Sequence, residues 1–240
     1  VTKFEDGKLQ SKGCCKHGEK VGNWIEYYKN GNIREKISMT DCTYESYFED
    51  GKPRQKGFYR NEKKHGDWTT WNKNGKVIRE NHYEEGSLDG VQKVWTEDGA
   101  QLLSSITYKN NMKNGFAQWW LENGKIDMGG MFVNDLQDGI WTYYRHDNGK
   151  VGNTGKFSQG KKTGHWVWYY ADGSVWKEGD YDNDMKTGKW TFYYENGQKE
   201  HEGTFENNLE QGEFTQWFEN GRTMTIGYFD KGLMTGTWTG

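Results

Sequence analysis

The chain has one proline and three cysteines among 240 residues, no long apolar run and almost no net charge. Each shortage excludes something. Cys14, Cys15 and Cys42 make neither an even disulfide framework nor a CxxC or Cys/His ligand spacing, so no cross-link or structural zinc is expected and Cys14 and Cys15 receive no role. No stretch approaches the roughly 18 apolar residues of a membrane-spanning helix. Lys and Arg number 32 against 35 Asp and Glu, and the two signs are interleaved, so the basic stripe that nucleic acid requires is missing. Ile, Leu and Val are scarce and the hydrophobic fraction is 32%, which taken alone would suggest disorder.

What the chain does have is aromatic residues in phase. The 13 Trp, 15 Tyr and 11 Phe recur at fixed intervals, which disordered chains do not do. Glycines open successive units at Gly22, Gly66, Gly90, Gly115, Gly139, Gly164, Gly188, Gly212 and Gly236, about 24 residues apart, with Cys42 in that place in the second unit after a shortened interval. Two residues on stands a ring (Trp24, Tyr44, Trp68, Trp141, Trp166, Trp190, Phe214, Trp238), with Gln92 and Ala117 as exceptions. Then each unit carries Asn-Gly or Asp-Gly, from Asp6-Gly7 through Asn196-Gly197 to Asn220-Gly221. That dipeptide suits the positive φ of a two-residue type I′ turn, so about ten β-hairpins are expected.

Strand pairing follows from such a turn. Trp190 should face Gly203, Trp166 should face Gly179 and Phe214 should face Gly227, each ring lying over the bare backbone across from it. Tyr59, Tyr83, Phe132, Tyr181, Phe205 and Phe229 form a matching column on the return strand. The connection to the next unit, as from Tyr181 to Gly188, reads as a polar and looser turn of four to six residues. Lys63-Lys64 and Lys161-Lys162 fall there and read as solvated loop charge. Successive strand side chains alternate between faces, so the ring at the fifth position points away from the one at the second. That column, Trp71, Trp95, Trp120, Tyr144, Tyr169, Tyr193 and Trp217, meets a mixed set across the turn: Ile78, Leu102, Asp127, Trp176 and Glu200 among them.

A Gly-x-aromatic-x-x-aromatic strand, an Asn-Gly turn and then Glu-Gly-x-aromatic resemble MORN repeats. Gly188-Lys189-Trp190 with Tyr193-Tyr194 and Asn196-Gly197 shows the pattern, as do Glu178-Gly179-Asp180-Tyr181 and Glu202-Gly203-Thr204-Phe205. The order of these motifs is most similar to the bacterial variant in YwqK-type antitoxins. The resemblance implies an all-β, elongated single-layer antiparallel sheet of about ten hairpin repeats, twisted and open-ended, as one array over residues 1–240. It also implies protein scaffolding, dimerisation, phospholipid binding or neutralisation of toxins encoded nearby. Choline- and glucan-binding modules share short aromatic-Gly hairpins, but their units are nearer 20 residues.

Catalysis is not expected, since like groups repeat along a line where an enzyme needs unlike groups converging. His17, His65, His82, His146, His165 and His201 fall at different repeat positions, and His165 occupies a slot that elsewhere holds Asn23, Asp67, Lys189 or Glu213. No phosphate loop, dinucleotide fingerprint or serine-nucleophile motif is present, and no cofactor or metal is expected. The expected function is a non-enzymatic protein-binding or scaffold module, with a toxin as a candidate partner. The alternative is a module for lipid headgroups or glycans at a cell envelope. The partner-binding residues expected are Trp71, Trp95, Trp120, Tyr144, Tyr169, Tyr193 and Trp217, with the centre around Trp95 and Trp120. Free backbone edges at both ends invite edge-to-edge self-association unless an upstream segment caps the first hairpin. The chain begins at Val1 and not Met, so the location reads as cytoplasmic, or as envelope or secreted if a leader precedes Val1.

Overall fold

The computed structural model describes the backbone of residues 1–16, 19–39 and 42–239, with side chains outside 14–21; the questions over Cys14 and Cys15 lie outside the described side chains. The chain is all-β. The described residues form twenty-two strands of an open sheet, each described pairing is antiparallel, and no helix occurs among the described residues. Residues 1–114 with 122–124 form one compact unit, and residues 115–121 with 125–240 form a second.

The regular pattern is clearest in the second unit. Val175–Asp182 pairs with Met185–Tyr193, which pairs with Lys199–Glu206, which pairs with Leu209–Trp217. The expected register holds: Trp190 is the Cα partner of Gly203, Trp166 of Gly179 and Phe214 of Gly227.

The turns correct the expectation. At Asn196-Gly197 only Gly197 has positive φ, 82°, so this is not a type I′ turn. The Gly197 N–H donates to the Tyr194 carbonyl at 2.9 Å and the Tyr194 N–H to the Gln198 carbonyl at 2.8 Å. This is a three-residue loop, a type I turn closed by glycine in a bulge. Asparagine serves it with its side chain: Asn196 Oδ1 accepts the Gln198 N–H at 2.9 Å, as Asp172 does for Ser174 at 2.8 Å and Asn220 for Arg222 at 3.0 Å. Asn196 Nδ2 also donates to the Glu219 carbonyl of the next turn, 3.0 Å away.

The type I′ turns are at the other connection, the one expected to be loose. Asp182 pairs with Met185, and Asn183 and Asp184 between them both have positive φ, 49° and 69°. Asn134-Asp135 and Asn207-Asn208 do the same in this unit, and Asn61-Glu62 and Asn110-Asn111 in the other. The sequence shows Asn and Asp at both connections, and only the backbone tells which uses the side chain and which uses the left-handed conformation.

The three-residue loop brings a second change. Beyond Phe192 the register slips, and Tyr193 faces Lys199 in place of the expected Glu200. The same slip makes Ile126, not Asp127, the partner of Trp120, Val175, not Trp176, the partner of Tyr169, and Val77, not Ile78, the partner of Trp71, while Leu102 faces Trp95 as expected. The fifth-position column therefore meets a largely aliphatic column: Val77 and Leu102 in the first unit, Ile126, Val151 and Val175 in the second.

The core sits in the ring column at the second position. Trp68, Trp141, Trp166 and Trp190 are fully buried. Each ring lies over a glycine, but over that of the preceding strand and not the one opposite in its own hairpin. A Cβ on Gly179 would fall 2.3 Å from the Trp190 ring, and one on Gly155 would fall 2.1 Å from Trp166. A register slip between Glu178 and Asp180, around Gly188 at φ 63°, lets the ring down onto this backbone. The indole N–H then donates to the carbonyl after the glycine: Trp190 to Asp180 at 3.1 Å, Trp166 to Lys156 at 3.1 Å, Trp141 to Met131 at 3.0 Å and, in the first unit, Trp68 to Phe58 at 3.0 Å. The return-strand column stands edge-on to these rings, with Tyr181 and Trp190 centroids 5.2 Å apart at 87°.

Candidate binding surface

The two faces of the hairpins are chemically unlike. One carries the buried tryptophans. The fourth residue of the unit joins it, a contribution the sequence reading missed: Trp168 lies 5.6 Å from Trp166, Phe192 lies 6.2 Å from Trp190, and Trp119 lies 6.1 Å from Trp141. Alternation from the second position was signal enough to find them. Trp119 supplies a ring in the unit where Ala117 lacks one, and Ala117 is itself fully buried. In the first unit Gln92 replaces the ring, and Asn81 stands where other repeats have glycine; the Gln92 amide donates to Asn81 at 2.9 Å. The irregular positions at Gln92 and Ala117 are thus packed.

Lys64, Lys162 and Lys186 belong to this face as well. Their ammonium groups sit 4.3, 4.9 and 4.7 Å from the ring centroids of Trp68, Trp166 and Trp190. Reading Lys64 and Lys162 as solvated loop charge is corrected here, because the tight I′ turns place them at the start of strands Lys63–Trp71 and Lys161–Tyr169. Burial lowers the pKa of Lys64 and Lys186.

The other face carries the seven rings expected to bind a partner. All seven are half-buried. Among the described residues no two of them stack on each other. In the first unit Trp71 lines a cavity of about 680 Å³ with Phe48, Arg54 and Ile78. In the second, Tyr193 donates its hydroxyl to Glu178 at 2.7 Å, and burial, together with this bond to a carboxylate, pushes its pKa up to about 12. Lys199 lies 5.6 Å from the Trp217 ring. The tyrosine at the sixth position ties units together, as Tyr170 donates to the Tyr193 carbonyl at 2.7 Å and Tyr194 to the Trp217 carbonyl at 2.9 Å.

This face also holds a feature the sequence reading passed over. In the second unit the residue after each repeat glycine is Phe116, Ile140, His165, Lys189 and Glu213 in turn. The last three have polar partners: His165 is 3.1 Å from Asp180, Lys189 pairs with Glu202, and Glu213 accepts the Tyr228 hydroxyl at 3.1 Å. Phe116 and Ile140 are apolar in the same exposed slot, 52% and 61% exposed. Phe116 faces Met131, and Met131, Val133 and Leu136 are exposed too. Alternation puts Phe116 on the face of Trp120, and Ile140 on the face of Tyr144. The signal was legible: two successive units place an apolar residue in a slot that is charged in the next three.

His17 lies outside the described residues; the other histidines stand beside carboxylates or against a ring. His82 is 2.6 Å from Asp67 and His146 is 2.7 Å from Asp127. His201 stacks on Phe192 with centroids 3.9 Å apart. His65, Glu84 and Glu85 bring ligand atoms within 4.8 Å of one another, but both glutamates are exposed, and His65 Nδ1 stands 3.4 Å from Glu84 without a hydrogen bond.

Comparison with known proteins adds the following. The profile described as MORN repeat variant matches residues 20–41, 43–61, 64–85, 162–183 and 186–207. No curated protein matches the chain. Two solved structures are similar to it, described as the crystal structures of TcdB2-TccC3-TEV and TcdB2-TccC3-Cdc42. The first is 12% identical at a TM-score of 0.22 and the second 10% identical at 0.18, over 92% and 96% of this chain. The chain spans 13% and 15% of the lengths of those chains, and at such scores the likeness carries no argument. The five matched stretches, each lying on the hairpin units described above, support a MORN-repeat protein of the variant type.

Proposed function

We propose that the chain is a non-enzymatic binding module that holds a protein partner on the face opposite the buried tryptophans. One observation carries this reading: the exposed apolar cluster of Phe116, Met131, Val133, Leu136 and Ile140 in the second unit. Phe116 lies opposite Met131 and Val133 opposite Leu136 on paired strands, and a group of exposed apolar residues of this kind is the usual mark of a protein contact. Trp120 and Tyr144 adjoin it on the same face and are the members of the fifth-position column best placed to take part. Trp95, with the exposed Val91 on its own strand, is the corresponding group of the first unit.

The finer reading is an antitoxin or immunity protein. It rests on the resemblance of the repeats to the YwqK type, and its test is whether the chain rescues growth from a toxin encoded beside it. For the surface itself, Phe116→Ser with Ile140→Ser is expected to weaken partner retention at least about tenfold, and Trp120→Ala to weaken it by about 1–2 kcal/mol. Thermal stability of the Phe116/Ile140 variant should stay within about 0.5 kcal/mol of the parent, as for other exposed sites. Full retention by the double variant would overturn the assignment of the surface.

A further inference from the structure

Three repeats close one corner in the same way. In the first unit Trp68 and Tyr83 meet edge to face, centroids 6.2 Å apart at 80°, and Lys64 Nζ sits 4.3 Å from one ring and 5.1 Å from the other. In the second unit Trp166 and Tyr181 meet at 6.2 Å and 82° with Lys162 Nζ 4.9 and 5.3 Å away. Trp190 and Phe205 meet at 6.2 Å and 71° with Lys186 Nζ 4.7 and 4.8 Å away. Each lysine stands two residues before the repeat glycine, at the start of a nine-residue strand. In these three repeats the corner holds an ammonium group supplied from within the chain, whereas Gln137 and Glu210 take the lysine's position beside the Trp141–Phe157 and Phe214–Phe229 pairs.

The second repeat of the first unit builds the same corner and lacks the filler. Tyr44 and Tyr59 meet edge to face, centroids 5.9 Å apart at 82°. Tyr44 stacks on Trp68 at 5.3 Å, which fixes its ring in place. Its strand is shorter, Thr43–Tyr47, and the strand before it ends at Ser38. The shortened interval from Gly22 to Cys42 removes the stretch that carries the lysine in these three repeats; the position two before Cys42 is Thr40. Among the described residues no Lys or Arg nitrogen stands over either ring, and Thr40 and Asp41 bear no cation. A cavity of about 380 Å³ is lined by the two rings together with Met39, Cys42, Glu35 and Glu62. Its size falls within the range of small-ligand sites. Burial raises the pKa of both phenols and the charge of Glu35 adds to it, while at Tyr44 a hydrogen bond with Ser46 and the charges of Arg54 and Arg34 act against the rise.

We propose that the Tyr44–Tyr59 corner is a binding site for an alkylammonium ion supplied from outside the chain. The ring faces attract the cation, the apolar wall takes its methyl or methylene groups, and the carboxylates of Glu35 and Glu62 add to the attraction. A cavity of about 380 Å³ has room for a bulky head such as a trimethylated amine.

The test is titration of the full chain with choline and with 3,3-dimethylbutan-1-ol, its neutral carbon isostere, followed by the ring resonances of Tyr44 and Tyr59 and by calorimetry. Saturable one-site binding of choline is expected, at least about tenfold tighter than the isostere. Tyr59→Leu should weaken it about tenfold or more, and Tyr59→Phe by less than about threefold, because the phenyl face keeps its quadrupole. Glu62→Gln, in an exposed turn, should weaken binding a few-fold without touching the fold and so serves if Tyr59→Leu unfolds. Retention on phosphatidylcholine vesicles over phosphatidylglycerol vesicles would assign the group to a lipid, and choline binding without such retention to a soluble amine. Equal binding of the isostere, no saturation by choline up to about 100 mM, or full affinity in both Tyr59→Leu and Glu62→Gln would overturn the proposal.

Discussion

The repeat around Trp190 and the repeat around Tyr44 are built on one plan and closed differently. Both set a ring edge to face with the next aromatic on the return strand. Around Trp190 the chain adds a glycine beneath, a carbonyl for the indole N–H and a lysine above. Around Tyr44 the residue across the preceding strand is Ile37 in place of glycine, and the lysine is gone. In the regular repeat every surface of the ring is used by the chain itself. Loss of four residues from the connection leaves one ring surface unused, so an insertion or deletion in this architecture changes what a repeat can bind without dismantling the sheet.

That contrast can be broken by truncating the rings. Trp190→Ala removes a fully buried indole and its hydrogen bond, and should cost about 3–5 kcal/mol. Tyr44→Ala removes a half-buried ring with an open side and should cost clearly less, about 2 kcal/mol or below. Urea or thermal unfolding of the two variants decides it, and equal losses would show that the second repeat is as tightly built as the regular one.

Filling the glycine comes next in size. Gly179→Ala places a Cβ 2.3 Å from the Trp190 ring, closer than real atoms approach, so the indole must lift off the strand at about 1–3 kcal/mol. The indole N–H bond to Asp180 should weaken with it, visible as an upfield shift of that proton. Gly139→Ala has no neighbour near the added carbon, and its cost should come from its φ of 68° alone.

Turn chemistry should give effects no larger than this. Gly197→Val forces a β-branched residue into φ 82° and should cost about 1–3 kcal/mol, measured by thermal unfolding. Asn196→Ala should cost only about 1 kcal/mol, because that position has ordinary backbone and loses only its hydrogen bonds to Gln198 and Glu219. If Asn196→Ala is the more damaging of the two, the three-residue assignment of this loop fails.

The smallest expected effect is a pH dependence confined to the regular side of the comparison. Burial between Phe192 and Phe214 lowers the His201 pKa from its usual 6.5, with Lys186 acting in the same direction and Glu200 against it. The folded state then binds this proton less readily than the unfolded chain. The stabilisation is fully present above pH 6.5 and is lost as pH falls through the lowered value. Melting temperature measured from pH 7 downward should fall less steeply in His201→Phe than in the parent, and identical slopes would remove His201 from the account.

The periodicity of Trp, Gly and Asn-Gly in the sequence was enough to establish hairpin repeats, their number and the register that sets Trp190 against Gly203. Those features come from side-chain alternation and from which residues tolerate a turn, both local properties of the chain. Three things were not legible there. Asn and Asp occur at both connections, and only the backbone shows that Asn196 acts through its side chain and Asn183 through its left-handed φ. The bulge that follows the first kind of turn moves Tyr193 from Glu200 to Lys199, a shift of one residue that no spacing in the sequence records. Which glycine a tryptophan covers, and whether a lysine or an open cavity covers the tryptophan's own pair, depend on contacts between strands of neighbouring hairpins. A repeat sequence specifies each hairpin, but the pressing of one hairpin on the next decides which ring faces are closed, because that is where the bulges set the spacing.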